Sequence, residues 1–119
     1  MPFRNVNDVA PFSLSDGIRL QVVAGERMML SFVAFAPDGI VPEHSHPHEQ
    51  MGTVLEGEFQ LTIDGETRLV RAGDVWHVPA NVLHSAVAVG VLALALDVFA
   101  PSREDYEERA REAEAQSGG

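Results

Sequence analysis

Apolar and polar residues alternate with a period of two through the middle of the chain. Phe59, Leu61 and Ile63 interleave with Glu58, Gln60 and Thr62, as expected of a strand with one buried face. Asp64-Gly65 follows, a pair that tolerates the positive φ angles of a two-residue hairpin loop, and residues 67–71 are predicted to return alongside. Similar punctuation recurs from Ser15 to Pro101. Asp16-Gly17 precedes a predicted strand at 18–23, Ala24-Gly25-Glu26 turns into another at 27–35, and Pro37-Asp38-Gly39 ends it. Ala72-Gly73-Asp74 leads into a strand at 75–78, and one long strand is expected over 86–99. Short strands divided by turns predict an all-β fold. From Ser102 the pattern changes. Ser102 suits a helix cap, Glu104 and Asp105 are acidic in the first turn, and Asp105/Arg109 and Glu107/Arg111 are spaced for i,i+4 pairing. Residues 102–115 are therefore predicted to form a short exposed acidic helix, with 116–119 as a frayed tail. The expected organisation is one domain over 1–119, with its β core at about 17–101.

Composition narrows the function. The 119 residues include no cysteine, which excludes disulfides, thiolate metal sites and a cysteine nucleophile. Eight basic residues, all arginine, face 18 acidic ones for a net charge of −10. Such a surface repels phosphate backbones and anionic lipid, so neither nucleic acid nor membrane is an expected partner. The longest apolar stretch, 85–96, is too short to span a bilayer and is interrupted by Gly90. Residues 1–10 are polar without the apolar run of a signal peptide, and a cytoplasmic location is expected. An anionic substrate would need a local positive centre, which a dication and a nearby arginine can supply.

All five histidines lie between positions 44 and 84. In an extended strand His44 and His46 would point to one side, about 6.6 Å apart along the chain. Their imidazoles could then converge on one ion. Gln50 shares their parity and, after a bend near Pro47, could offer its amide oxygen. His84, beyond the turn at 79–83, is the best-placed further ligand. His48 and His77 are expected at the surface or in supporting hydrogen bonds. Neutral imidazole and amide donors suit nickel, zinc, iron or manganese.

The surrounding residues resemble the cupin family. Its first motif, a glycine, His-x-His, a glutamate and a closing glycine, corresponds to Gly39-Ile-Val-Pro-Glu-His44-Ser-His46-Pro-His-Glu-Gln50, with Gly57 following. Its second, glycine then Pro-x-Gly then histidine, corresponds to Gly73-Asp-Val-Trp-His-Val-Pro79-Ala-Asn81-Val-Leu-His84. The resemblance implies a jelly-roll β-barrel holding one divalent metal on His44, His46 and His84. Three departures stand out. The gap from Gly39 to His44 is one residue short, Asn81 replaces a glycine, and Gln50 stands where glutamate is usual. Asparagine tolerates left-handed turn geometry. With Gln50 as ligand the donor set is wholly neutral and the ion keeps its full charge; otherwise Gln50 is a supporting hydrogen-bonding amide.

Parity also divides the last strand. Leu92, Leu94, Leu96 and Val98 share one side, while Ala93, Ala95, Asp97 and Phe99 share the other, where small alanines leave room for a cavity. Asp97 would then project among apolar residues, which is costly unless it is paired, near a metal or functional; the alternative is a solvated place at the rim. Arg103 opposes the positive end of the helix dipole, so it either points to solvent or binds an anion. Together, His44–Gln50 and Asp97-Val-Phe99-Ala-Pro-Ser-Arg103-Glu-Asp resemble the small bacterial cupins of pectin and alginate breakdown. Those proteins convert 4,5-unsaturated monouronates into linear keto forms. The resemblance implies three histidines and Gln50 on the metal, Asp97, Phe99 and Arg103 in the active site, and a small anionic sugar acid as substrate. An iron-dependent dioxygenase and a non-enzymatic sugar or small-anion binding cupin are the competing readings. A homodimer is expected, with Leu92, Leu94 and Leu96 joining Met28, Leu30 and Phe32 in an apolar contact face.

Overall fold

The predicted alternation builds two antiparallel sheets in the computed structural model, which describes residues 2–117. A 3-10 turn at Val6–Asp8 precedes ten strands. They are β1 (Phe12–Ser15), β2 (Ile18–Ala24), β3 (Met29–Phe35), β4 (Ile40–His44), β5 (Glu49–Glu56), β6 (Glu58–Ile63), β7 (Glu66–Arg71), β8 (Val75–Val78), β9 (His84–Ala88) and β10 (Ala93–Ala100). A helix, α1 (Glu104–Ser117), closes the described chain. One sheet has the order β1-β2-β3-β10-β5-β8 and the other β4-β9-β6-β7. They face each other as a jelly roll, but no ladder joins their edges, so the expected barrel is a two-sheet sandwich rather than a closed cylinder.

Between the sheets, Phe35 and Phe59 stack with centroids 4.3 Å apart, and Trp76 meets Phe59 edge-on at 5.8 Å. Ile18, Leu20 and Val78 are fully buried around them. Truncating Phe59 to alanine in such packing costs about 3–5 kcal/mol. The β6–β7 hairpin turns at Asp64 (φ 50°) and Gly65 (φ 81°), as the sequence pair predicts.

The long strand expected over 86–99 is instead two strands in different sheets. The break falls at Gly90, whose φ of 84° reverses the chain and whose N–H donates to the Pro37 carbonyl at 3.0 Å. An apolar run on both sides of this glycine hid the crossing. Beyond it, Ala93, Ala95, Asp97 and Phe99 point inward and are buried, whereas Leu94, Leu96 and Val98 point outward.

Helix α1 begins at Glu104 rather than Ser102 and continues past residue 115 to Ser117. The rest of the expected tail, Gly118 and Gly119, lies outside the described residues. The helix is anchored by its one buried residue, Tyr106, which contacts Phe12 (6.0 Å) and Phe99 (5.7 Å) edge-on. Glu107 and Arg111 pair as spaced, at 4.0 Å. Asp105 turns back to Arg103 instead of reaching Arg109, and Arg109 donates to the Ser13 carbonyl. No helix among the described residues is long and apolar enough to cross a membrane.

Candidate metal centre

Three imidazoles meet at one end of the sandwich. His44 ends β4, His84 begins β9, and the two are register partners. The spacing reading placed His46 on the same strand. It lies instead on the connection to β5, because the chain turns away after His44. The ligating nitrogens of His44, His46 and His84 nevertheless come within 4.8 Å of one another, positioned for one metal ion. His48 and His77 stand outside this cluster. His48 is buried and its Nε2 meets Glu104 at 3.1 Å, while His77 is exposed beside Glu49 at 2.8 Å.

Each ring of the trio is oriented by a backbone carbonyl. His44 Nδ1 lies 2.9 Å from the Pro42 oxygen, His46 Nδ1 3.0 Å from that of His48, and His84 Nδ1 2.8 Å from that of Val82. A carbonyl only accepts, so each Nδ1 carries the proton and each Nε2 keeps its lone pair. Burial, the Arg103 cation and the other two rings push His46 down to about 4. His84 is lowered too, chiefly by burial. Near pH 7 His46 and His84 are neutral, the form a metal requires.

Two observations test whether a cation fits. His84 Nε2 is buried without a hydrogen-bond partner. His46 faces two acceptors at once, the His48 carbonyl at Nδ1 and Gln50 Oε1 at 3.1 Å from Nε2. A neutral ring has one N–H, so one contact must set two lone pairs against each other. An imidazolium would relieve the conflict, but burial opposes it. A cation shared by His46 Nε2 and Gln50 Oε1 relieves it without protonating the ring, and the nitrogen-oxygen donor set suits zinc, nickel or iron.

Asp97 and Phe99 line the same cavity from β10, and Arg103 reaches it from just before α1. Asp97 is buried, which excludes the solvated alternative. Its Oδ1 accepts from Trp76 Nε1 at 3.2 Å. Burial lifts its pKa from 3.8 to about 6, against the opposing influence of Gln50, Trp76 and the Arg103 cation. Arg103 is also buried rather than solvent-facing. Asp105 grips its Nε (3.2 Å) and Nη2 (2.8 Å), and its guanidinium carbon lies 3.7 Å from the Tyr106 ring centroid and 5.1 Å from that of Phe99. Among the described residues, Arg103 Nη1 has no hydrogen-bond partner. An arginine fixed on three sides with one free N–H group offers a ready anion contact.

Of the two residues that hold Arg103, Asp105 closes the quoted motif but was assigned to helix pairing, and Tyr106 was not singled out. A signal was present: Tyr106 is the only tyrosine of the chain and sits alone among charged residues.

Comparison with known proteins agrees with this geometry. Residues 31–99 match the cupin domain family. The pectin degradation protein KdgF of Dickeya dadantii is 31% identical over 104 residues, covering 85% of this chain and 94% of that protein. The structure of KdgF from Halomonas sp. superposes with a TM-score of 0.75 at 30% identity, covering 81% and 89% of the two chains. An RmlC-like cupin from Shewanella frigidimarina superposes with a TM-score of 0.83 at 29% identity, covering 89% and 96%. Jelly roll, histidine trio and sequence relationship coincide, and the chain belongs to the cupin family.

Proposed function

We propose that this cupin opens the ring of 4,5-unsaturated monouronates and delivers the linear keto form. The observation that carries the reading is convergence: a buried carboxyl and an arginine nitrogen without a partner among the described residues line the cavity onto which His44, Gln50 and His84 also open. The relationship to KdgF, a pectin degradation protein, supports the substrate class. His44, His46, His84 and Gln50 would hold one divalent ion of the nickel, zinc, iron or manganese kind. Once bound, it supplies a positive centre that stabilises negative charge on a substrate oxygen.

The protein's own groups then have distinct tasks. Arg103 Nη1 holds the uronate carboxylate and so fixes the ring in the cavity. Phe99, beside the Arg103 guanidinium, packs on the sugar face. Asp97, with its pKa raised toward neutrality, handles the protons. The hemiacetal hydroxyl loses its proton, the bond from its carbon to the ring oxygen breaks, and that oxygen is protonated to an enol. The enol oxygen then loses its proton while the far carbon of the double bond gains one, leaving a ketone. The sum is an isomerisation that consumes no oxidant and no co-substrate.

Purified, metal-loaded protein mixed with 4,5-unsaturated monouronate and followed by proton NMR tests the reading, with the spontaneous reaction alongside. Acceleration that disappears with chelator and in Asp97→Asn supports it. No acceleration with any of the four metals rejects it, and oxygen consumption with bound iron would move the assignment to a dioxygenase.

The same reading includes a homodimer formed through the outer face of the six-stranded sheet. Leu30 is paired across the ladder with Val98, and Phe32 with Leu96. Met28 and Leu92 flank them, 55% and 72% exposed. Contiguous aliphatic surface of this kind is unusual on a monomer. Light scattering behind size exclusion should return twice the chain mass.

A further inference from the structure

Asp97, Gly52 and Trp76 occupy one row across β10, β5 and β8. Asp97 and Trp76 are buried on the inner face, and Gly52 between them carries no side chain. The indole N–H of Trp76 passes over Gly52 to reach Asp97 Oδ1 at 3.2 Å. A Cβ built on Gly52 would fall on both Asp97 Oδ1 and Trp76 Nε1. The hydrogen bond therefore exists only because this position is glycine. Phe59 meets the indole edge-on, with rings 5.8 Å apart and 81° between planes, and fixes its tilt.

Packing alone does not account for this arrangement. A phenylalanine or leucine could fill the volume without a buried donor that needs a partner. Nor does a carboxylate need to be held on one oxygen to lie in a pocket. We propose that Trp76 is a positioning residue for Asp97, its N–H holding Oδ1 so that Oδ2 is the oxygen turned to the substrate. Indole nitrogen only donates, so the oxygen it faces is held as its acceptor. The proposal rests on the ring-opening reading for its kinetic consequence, but the hydrogen bond can be examined without substrate.

Trp76 is the chain's only tryptophan, so the protein has a single indole N–H resonance. In zinc-loaded, nitrogen-15-labelled protein this peak should sit at low field, exchange slowly with solvent, and move when Asp97 becomes asparagine. In Trp76→Phe, turnover of the unsaturated monouronate should fall about 10- to 100-fold in kcat, with KM and metal content unchanged. A purely structural role would lower the melting temperature and the metal content and leave kcat per metal-loaded site intact. Wild-type kcat in Trp76→Phe, or an indole peak unmoved in Asp97→Asn, overturns the proposal. If the wild-type protein fails to accelerate the conversion, the ring-opening reading falls, and the indole peak alone decides whether Trp76 holds Asp97.

Discussion

The two faces of the six-stranded sheet are made by alternate residues of the same strands, and each departs from the usual pattern in its own way. Along β10 the inward positions include Asp97, beside Gln50 on β5 and Ser31 on β3, all buried. The outward positions are Leu94, Leu96 and Val98, opposite Ala34, Phe32 and Leu30. A sheet built only for stability would place its carboxylate outside and its leucines inside. Burying Asp97 costs stability, because a carboxylate loses solvation that Trp76 and Arg103 only partly replace. Exposing the leucines costs solubility unless something covers them. The inner face thus sets a few polar groups of the candidate site into an apolar core, and the outer face exposes the side chains on which the proposed dimer rests.

The largest break in this comparison comes from the metal. Chelator, or His84→Ala, should return turnover to the spontaneous rate and remove bound metal, as read by elemental analysis of the purified protein. Full turnover in metal-free protein would detach the histidine trio from the chemistry.

Next comes Asp97→Asn, which should lower kcat about 100- to 10,000-fold with metal retained. Here the inner face predicts opposite signs for activity and stability. Burial raises Asp97 from 3.8 in the unfolded chain to about 6, so between those values the unfolded state has shed a proton that the folded state keeps. Stability falls as pH rises through that window and stays reduced above it. In chelator at pH 8, Asp97→Asn should therefore be more stable than wild type by on the order of 1–3 kcal/mol and melt higher. A lower melting temperature would mean that the carboxylate stabilises the fold.

Arg103→Lys keeps the charge but loses the planar fork gripped by Asp105. It should lower kcat/KM about 10- to 100-fold, mainly through KM, because carboxylate binding is its proposed task. The smallest catalytic effect belongs to the outer face. Phe32→Glu should halve the mass in light scattering while kcat changes less than about twofold. Loss of activity on dissociation would tie the two faces together.

Much of this molecule was legible before its structure. The period-two pattern at 58–63 became β6, Asp64-Gly65 became its hairpin, and the parity of β10 correctly sorted Asp97 and Phe99 from the leucines. Beyond the closed barrel and the helix bounds, three readings needed correction. His46 left the strand, the run at 86–99 divided at Gly90, and Asp105 turned toward Arg103. In each case the local pattern was compatible with two paths, and a contact that the pattern does not encode chose between them. Gly90 turns where its N–H finds the Pro37 carbonyl, and Asp105 is drawn to a guanidinium already held over Tyr106.

By itself, the sequence determined which residues alternate, where the chain can turn, which donor types are available, and that no thiol takes part. These follow from backbone geometry and side-chain chemistry, which act over a few neighbouring residues. Only the tertiary structure decided that all three Nδ1 atoms are spent on carbonyls, that His46 and Gln50 present two lone pairs to one point, and that Trp76 reaches Asp97 across the gap at Gly52. Such facts depend on strand register and burial, which are set by the packing of the whole chain.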